Sequence, residues 1–242
     1  MKLQYEIRTV TALSEQDRVR MFRLMCTYYE NVKRAKFEAD LAEKDGVLLL
    51  FDGEGVISGF STFLLIESRF GGRNAFALYS GDTIVDKTFW GQMSLFQGFA
   101  SVMIHFLEQG KTPLYWFLLT KGIRTYLLLP LYFRRFYPNR RRRPLPYEEG
   151  LLAHLARARF GACFLPEQGV IRLDPPADRL RDGLAMVPEG KLKNPHVEFF
   201  LRRNPGYVNG DELACLARID WDNFTRAFSR LVKRPCAHPT VF

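Results

Sequence analysis

The run Val85-Asp86-Lys87-Thr88-Phe89-Trp90-Gly91-Gln92-Met93-Ser94-Leu95 stands where a β-type stretch gives way to a helical one. Such a junction is a ready anion site. The first turn of a helix leaves its amides without intrahelical partners, and the helix dipole adds partial positive charge there. The donors would be the backbone N–H groups of Gly91 to Leu95, with a phosphate or pyrophosphate as ligand. Downstream, the segment from Lys121 to Arg143 carries Lys121, Arg124, Arg134, Arg135, Arg140, Arg141, Arg142 and Arg143 and no acidic residue. The chain of 242 residues has a net charge of +9, so this segment supplies most of the imbalance. Clustered guanidinium groups suit phosphates, whether of a cofactor, nucleic acid or a lipid headgroup, and also the acidic surface of a partner protein.

Other kinds of site are not indicated. Cys26, Cys163, Cys215 and Cys236 lie far apart without a CxxC pair, and only Cys236 has a histidine nearby, His238. Neither a metal centre nor a disulfide framework follows, and reduced, buried thiols are expected. His105 sits in an apolar helical run, where a packed residue is expected rather than a base or ligand. The most apolar stretches fall far short of the roughly 20 residues that cross a bilayer, so no transmembrane segment is expected. The first residues lack the apolar core of a secretory signal, which makes the cytoplasm the expected location. With 47% hydrophobic and 25% charged residues, the composition is globular and excludes disordered, collagenous and coiled-coil chains.

Periodicity shows which elements must position the junction. Residues 3–12 alternate as a strand, and Ser14 with Asp17 three residues later forms a capping-box-like start for a helix of about four turns. A more polar helix is expected from Ala35 to Lys44. Gly46 to Phe51 and Val56 to Ile66 read as a hairpin around Asp52-Gly53-Glu54-Gly55. Asn74 to Val85 is the strand that feeds the junction. Leu95, Phe96, Phe99, Met103, Phe106 and Leu107 recur at helical spacing as far as Gly110. Pro113 to Leu119 is a further strand, and Ile123 to Tyr137 a helix. Asn139 to Pro146 is basic, contains proline and resembles a linker. Beyond it are expected a helix (148–160), a strand (169–173), a short helix (196–203) containing Phe199-Phe200-Leu201 as core, a strand (212–219) and an amphipathic helix (221–232).

This order, β-α-α-β-β-β-α-β-α, together with the junction, resembles the GNAT superfamily of acyl-CoA-dependent N-acyltransferases. In that family the junction commonly reads V-D-P-x-Y-R-G-x-G-x-G/A, and Val85, Asp86, Phe89 and Gly91 match it. Lys87 takes the proline place, Trp90 the arginine place, and Met93 and Leu95 the two later glycine places. The helix after the fifth strand often ends A-x-x-L-Y-x-x-x-G-F, and Leu131-Tyr132 supplies the Leu-Tyr pair. The resemblance covers roughly residues 3–138.

The resemblance implies an α/β (α+β) fold, a central mixed sheet flanked by helices. Residues 1–138 would be the acyltransferase core, 139–147 a basic linker, and 148–242 an extension packed on the same sheet and completing it. It implies transfer of an acyl group from a thioester, acyl-CoA or an acyl-phosphopantetheine, to the amine of a small molecule, without a metal. Val85, Phe89, Trp90, Gly91, Gln92, Met93, Ser94 and Leu95 would hold the donor. Tyr132 falls where a phenol protonates the departing thiolate in many relatives, Asp82 is the first choice of base with Glu67 behind it, and Asp86 would orient the loop. The fourth and fifth strands would splay to admit the pantetheine arm. Met93 and Leu95 leave less room for a diphosphate than glycines would, which brings an acyl carrier protein forward as donor, docking on Arg134, Arg135 and Arg140 to Arg143. The reading from a different class is a non-catalytic module of the same fold that uses this arginine surface on nucleic acid or an anionic membrane.

Overall fold

Ser14 accepts from the Asp17 amide and Asp17 reaches back to the Ser14 backbone, so the first helix starts where the capping pattern places it. In the computed structural model the described residues are 2–141, 145–173, 179–181, 187 and 189–232. The strands are β1 (Gln4–Thr9), β2 (Tyr29–Glu30), β3 (Gly46–Phe51), β4 (Ile57–Phe70), β5 (Arg73–Val85), β6 (Leu114–Thr120), β7 (Phe164–Leu165), β8 (Val170–Ile171), β9 (Arg179–Leu180) and β10 (Glu212–Ile219). The helices are α1 (Glu15–Tyr28), α2 (Arg34–Ala42), α3 (Ser94–Glu108), α4 (Ile123–Tyr126), α5 (Leu128–Tyr132), α6 (Pro146–Phe160), α7 (Glu189–Leu192), α8 (Pro195–Arg203) and α9 (Arg226–Val232).

Eight strands form one mixed sheet in the order β1-β3-β4-β5-β6-β10-β8-β7, so the C-terminal region completes the sheet begun by the N-terminal one. Among the described residues only β5 and β6 are parallel neighbours, and α3 is the crossover that such a pair requires. Alternation along the strands sorts the core onto two faces. Leu48, Leu50, Leu78, Trp116 and Leu118 meet α3, α5 and α9 on one face. Val47 and Leu49 meet α1 and α2 on the other, where Tyr79, Tyr115 and Phe117 meet α6.

The sheet opens at one place. The parallel ladder runs from Phe76 opposite Leu114 to Ser80 opposite Leu118 and goes no further. On its other edge, β5 sets Gly81 and Asp82 against the single residue Thr62, a β-bulge between Ser80–Phe63 and Thr83–Ser61. A bulge bends its strand, while β6 stays with β10 through Leu119 and Thr120. The strands splay. Gly81 is suited to the spot, because a Cβ there would lie 2.3 Å from the Thr62 hydroxyl oxygen.

The structure differs from expectation between Ile123 and Tyr137. In place of one helix stand α4 and α5, after which the chain turns extended and pairs Phe133 with Phe224 and Tyr137 with Leu216. Pro130 has no N–H to continue the helix, and β10 offers backbone partners: Tyr137 and Leu216 exchange N–H···O bonds of 2.8 and 2.7 Å. The expected helix at 221–232 is a short turn (Trp221–Asn223) followed by α9. The strand at 169–173 shrinks to β8. The ribbon of β2 with β9 was not foreseen, its partners being 149 residues apart.

Asn223 pins these parts together. Buried at 1% exposure, its side chain accepts from the Arg135 amide at 2.8 Å and donates to the carbonyls of Arg135 and Arg218 at 2.9 and 2.7 Å. Thr225 adds bonds to the carbonyls of Leu131 and Tyr132. Replacing Asn223 with alanine strands three backbone groups, and an unmade buried bond is expensive. Asn223→Ala is expected to lose about 2–3 kcal/mol of stability, read as a lower urea midpoint with unchanged slope, whereas an unchanged midpoint would show that the clasp contributes nothing.

Candidate active site

The loop between β5 and α3 is braced from several directions. The Asp86 carboxylate accepts from the Thr88 amide at 3.0 Å and so caps the turn. The Trp90 indole donates to the Val85 carbonyl at 2.8 Å, and the Arg124 guanidinium lies 3.8 Å over its ring. Gln92 accepts from the Leu3 amide and Ser94 donates to the Leu3 carbonyl, which ties the loop to the start of the chain. Gly91 adopts φ +91°, a left-handed conformation that favours glycine. The first intrahelical bond of α3 is Gln97 N–H to Met93 O, so the amides before Gln97 have no partner within the helix.

A cavity of about 350 Å³ opens beside this helix head and passes through the splay between β5 and β6. Gly91, Gln92 and Leu95 line it; Met93 instead packs against the core. Tyr132, the last residue of α5, also lines it. Its ring stands 6.2 Å from that of Phe96 and 6.0 Å from that of Phe228. The Tyr132 hydroxyl is buried and has no hydrogen-bond partner among the described residues. Burial pushes its pKa up to about 12, because ionisation would place a charge among apolar side chains.

The far mouth of the cavity is polar. Asp82, on the bulge, lines it, together with Lys121 and Glu212, whose ammonium and carboxylate are 3.1 Å apart. The Lys121 ammonium also sits 5.6 Å over the Tyr29 ring. The pairing of Tyr29 with Leu180 brings both residues to this mouth. Burial and the nearby Glu212 charge hold the Tyr79 phenol, on the same side, well above its ordinary pKa.

Of the sequence-predicted residues, Asp82, Tyr132, Val85, Phe89, Trp90, Gly91, Gln92 and Leu95 all meet on this cavity. Glu67 does not. It faces Phe76 at the opposite end of the β4–β5 ladder, exposed and paired with Lys111 at 3.0 Å. As a second base it is therefore corrected: the antiparallel register that brings Asp82 to the splay carries Glu67 away from it. Glu212, Lys121 and Arg124 were not singled out individually. Glu212 reaches the cavity through the pairing of β10 with β6, which leaves no local signal, whereas Lys121 and Arg124 stand out in the sequence only as members of the basic run. Arg134, Arg135, Arg140 and Arg141 are exposed, and Arg142 and Arg143 lie outside the described residues, as do Cys236 and His238. Cys26, Cys163 and Cys215 are free thiols. Among the described residues no group of three or more His, Cys, Asp or Glu could hold a metal ion, and no helix is long and apolar enough to cross a membrane.

No protein-family model and no curated protein matches the chain. Solved structures similar to it include a protein from Enterococcus faecalis V583 described as a probable N-acyltransferase, 11% identical with a TM-score of 0.44. That alignment covers 56% of this chain and 33% of the other, so the chain spans about a third of that protein's length. A GNAT family N-acetyltransferase from Escherichia coli in complex with CoA is 20% identical over 50% of this chain and 65% of its own, with a TM-score of 0.38. Glucosamine-6-phosphate N-acetyltransferase from Arabidopsis thaliana is 13% identical over 52% and 88%, with a TM-score of 0.39.

The surroundings of Tyr132 set a pH dependence. An unfolded tyrosine ionises near 10, whereas the folded one holds its proton to about 12. The neutral phenol's contribution to stability is thus whole below pH 10 and is lost as pH rises through that interval. In ultraviolet difference titration against Tyr132→Phe, the tyrosinate signal assigned to Tyr132 is expected to have its midpoint at about pH 12; a midpoint at the ordinary value would mean that the hydroxyl is solvated.

Proposed function

We propose that the chain is a GNAT-like N-acyltransferase that moves an acyl group from a phosphopantetheine-borne thioester to the amine of a small molecule. One observation carries this reading: a single cavity joins the head of α3, the splay between β5 and β6, and the unpartnered Tyr132 hydroxyl. The chemistry needs an anion cradle, a strand edge for an amide-bearing arm, and a proton donor for sulfur, and residues suited to each line this cavity, which supports the reading.

The amides that open α3, with the Arg124 guanidinium over Trp90, would hold the phosphates of the donor. Beyond Ser80 the β5 edge has lost β6, so its main chain is open to an arm that carries amides of its own. The acceptor would enter by the polar mouth. Its ammonium gives a proton to the Asp82 carboxylate, and the freed nitrogen attacks the thioester carbonyl, forming the C–N bond and an oxyanion. Collapse breaks the C–S bond as Tyr132 gives its proton to the leaving sulfur, and the second proton of the attacking nitrogen passes to the tyrosinate, which leaves a neutral amide and a neutral phenol. Glu212, beside Lys121, would hold the acceptor's cationic end.

The donor is CoA itself or the arm of an acyl carrier protein, for which the exposed Arg134, Arg135, Arg140 and Arg141 offer a cationic landing surface. Calorimetry with CoA, acetyl-CoA and an acyl carrier protein separates the two. At least one is expected to bind, and binding by none would end the transferase reading. With the donor that binds, Tyr132→Phe is expected to keep affinity while kcat drops by about 10²-fold or more. Full turnover in that variant would remove Tyr132 from the reaction.

A further inference from the structure

The cavity has an apolar wall along α3. Leu95, Phe99 and Met103 repeat at four-residue spacing on α3, and all three line it, with Ala100 between them. At 1.5 Å per residue this wall runs about 12 Å from Leu95 to Met103. Opposite stand Trp116 on β6 and Phe228 and Leu231 on α9. The polar atoms on this side are few. The Trp116 indole is satisfied by the Ser80 hydroxyl at 3.0 Å, and the Tyr132 hydroxyl has no partner. A stable buried water needs two to four polar partners, which this wall does not offer. The charged groups Asp82, Lys121 and Glu212 line the other mouth.

We infer that this apolar end is a chamber for the acyl chain, and that the transferred group is a linear hydrocarbon of medium length rather than acetyl. The inference rests on the acyl-transfer reading and deepens it. With C–C bonds of about 1.52 Å in an extended zigzag, a wall of about 12 Å matches about eight to ten carbons. The carbonyl sits beside Tyr132, and the tail follows α3 to Met103, which is buried. Ala100 keeps the passage open, since a large side chain there would occupy the tail's course.

S-acyl pantetheines carry the portion common to CoA and carrier arms, so the acetyl, hexanoyl, decanoyl and hexadecanoyl forms, with decanol as a tail without a thioester, are the probes for calorimetry on the full chain. Affinity is expected to rise at least tenfold from acetyl to decanoyl and not to rise further at hexadecanoyl. Ala100→Phe is expected to leave the acetyl form unchanged and to abolish the decanoyl gain, the retained acetyl binding showing that the variant is folded. Met103→Trp, at the far end, should move the preferred length down. Equal affinity for acetyl and decanoyl forms, or a decanoyl gain that survives both substitutions, would overturn the chamber while leaving acyl transfer standing. Decanol binding that Ala100→Phe abolishes, with no thioester bound, would overturn the acyl assignment together with the transferase reading. No binding by any probe would overturn the chamber, with the transferase reading then decided by CoA and the acyl carrier protein.

Discussion

Two residues facing one, Gly81 and Asp82 against Thr62, decide what this sheet can do. A continuous mixed sheet would bury its main chain in hydrogen bonds from edge to edge and leave no way through. The bulge ends the β5–β6 ladder at Ser80 and Leu118, yet both strands keep their outer partners, β4 and β10. The opening is therefore local. It costs a few ladder bonds at the ends of two strands, and the rest of the sheet holds the gap at a fixed width.

The parts around that gap come from distant stretches of chain, which explains the tight backbone clasping behind it. Tyr132 ends a helix of only five residues, too short to hold its place by helical bonds alone. Its carbonyl is bonded by Thr225, and Arg135 is held by Asn223, so the C-terminal segment holds the backbone on either side of this turn. The same segment continues into α9, which places Phe228 and Leu231 on the cavity wall. An extension of the sheet thus serves as a structural support and as lining at once.

What could be read from the chain follows the range of the forces involved. The box at Ser14 and Asp17 and the stripe on α3 are local and regular, and both stand as the spacing indicates. The strand-to-helix junction is likewise a matter of neighbours in sequence. Ile123 to Tyr137 misled because its apolar residues suit a helix, while the backbone demand of β10, made by residues some eighty positions away, drew the second half into extended pairing. Glu67 and Asp82 are both strand carboxylates, with Asp82 the first choice, and register sets Asp82 on the cavity and Glu67 away from it. Glu212 could not have been chosen over the other acidic residues of the C-terminal third without knowing that β10 returns beside β6.

The sheet also sorts polarity. On one side of the splay stand Asp82, Lys121 and Glu212; on the other the rings and aliphatic chains of α3, β6 and α9. Tyr132 belongs to the apolar side by its neighbours Phe96 and Phe228. The desolvation that raises its pKa is therefore not a separate device for proton donation. It follows from the same dry wall that would accept a hydrocarbon tail, and a wetter wall would weaken both properties together. The raised pKa of Tyr132 and the apolar wall along α3 have one physical source, the apolar side chains of α3, β6 and α9 packed around them.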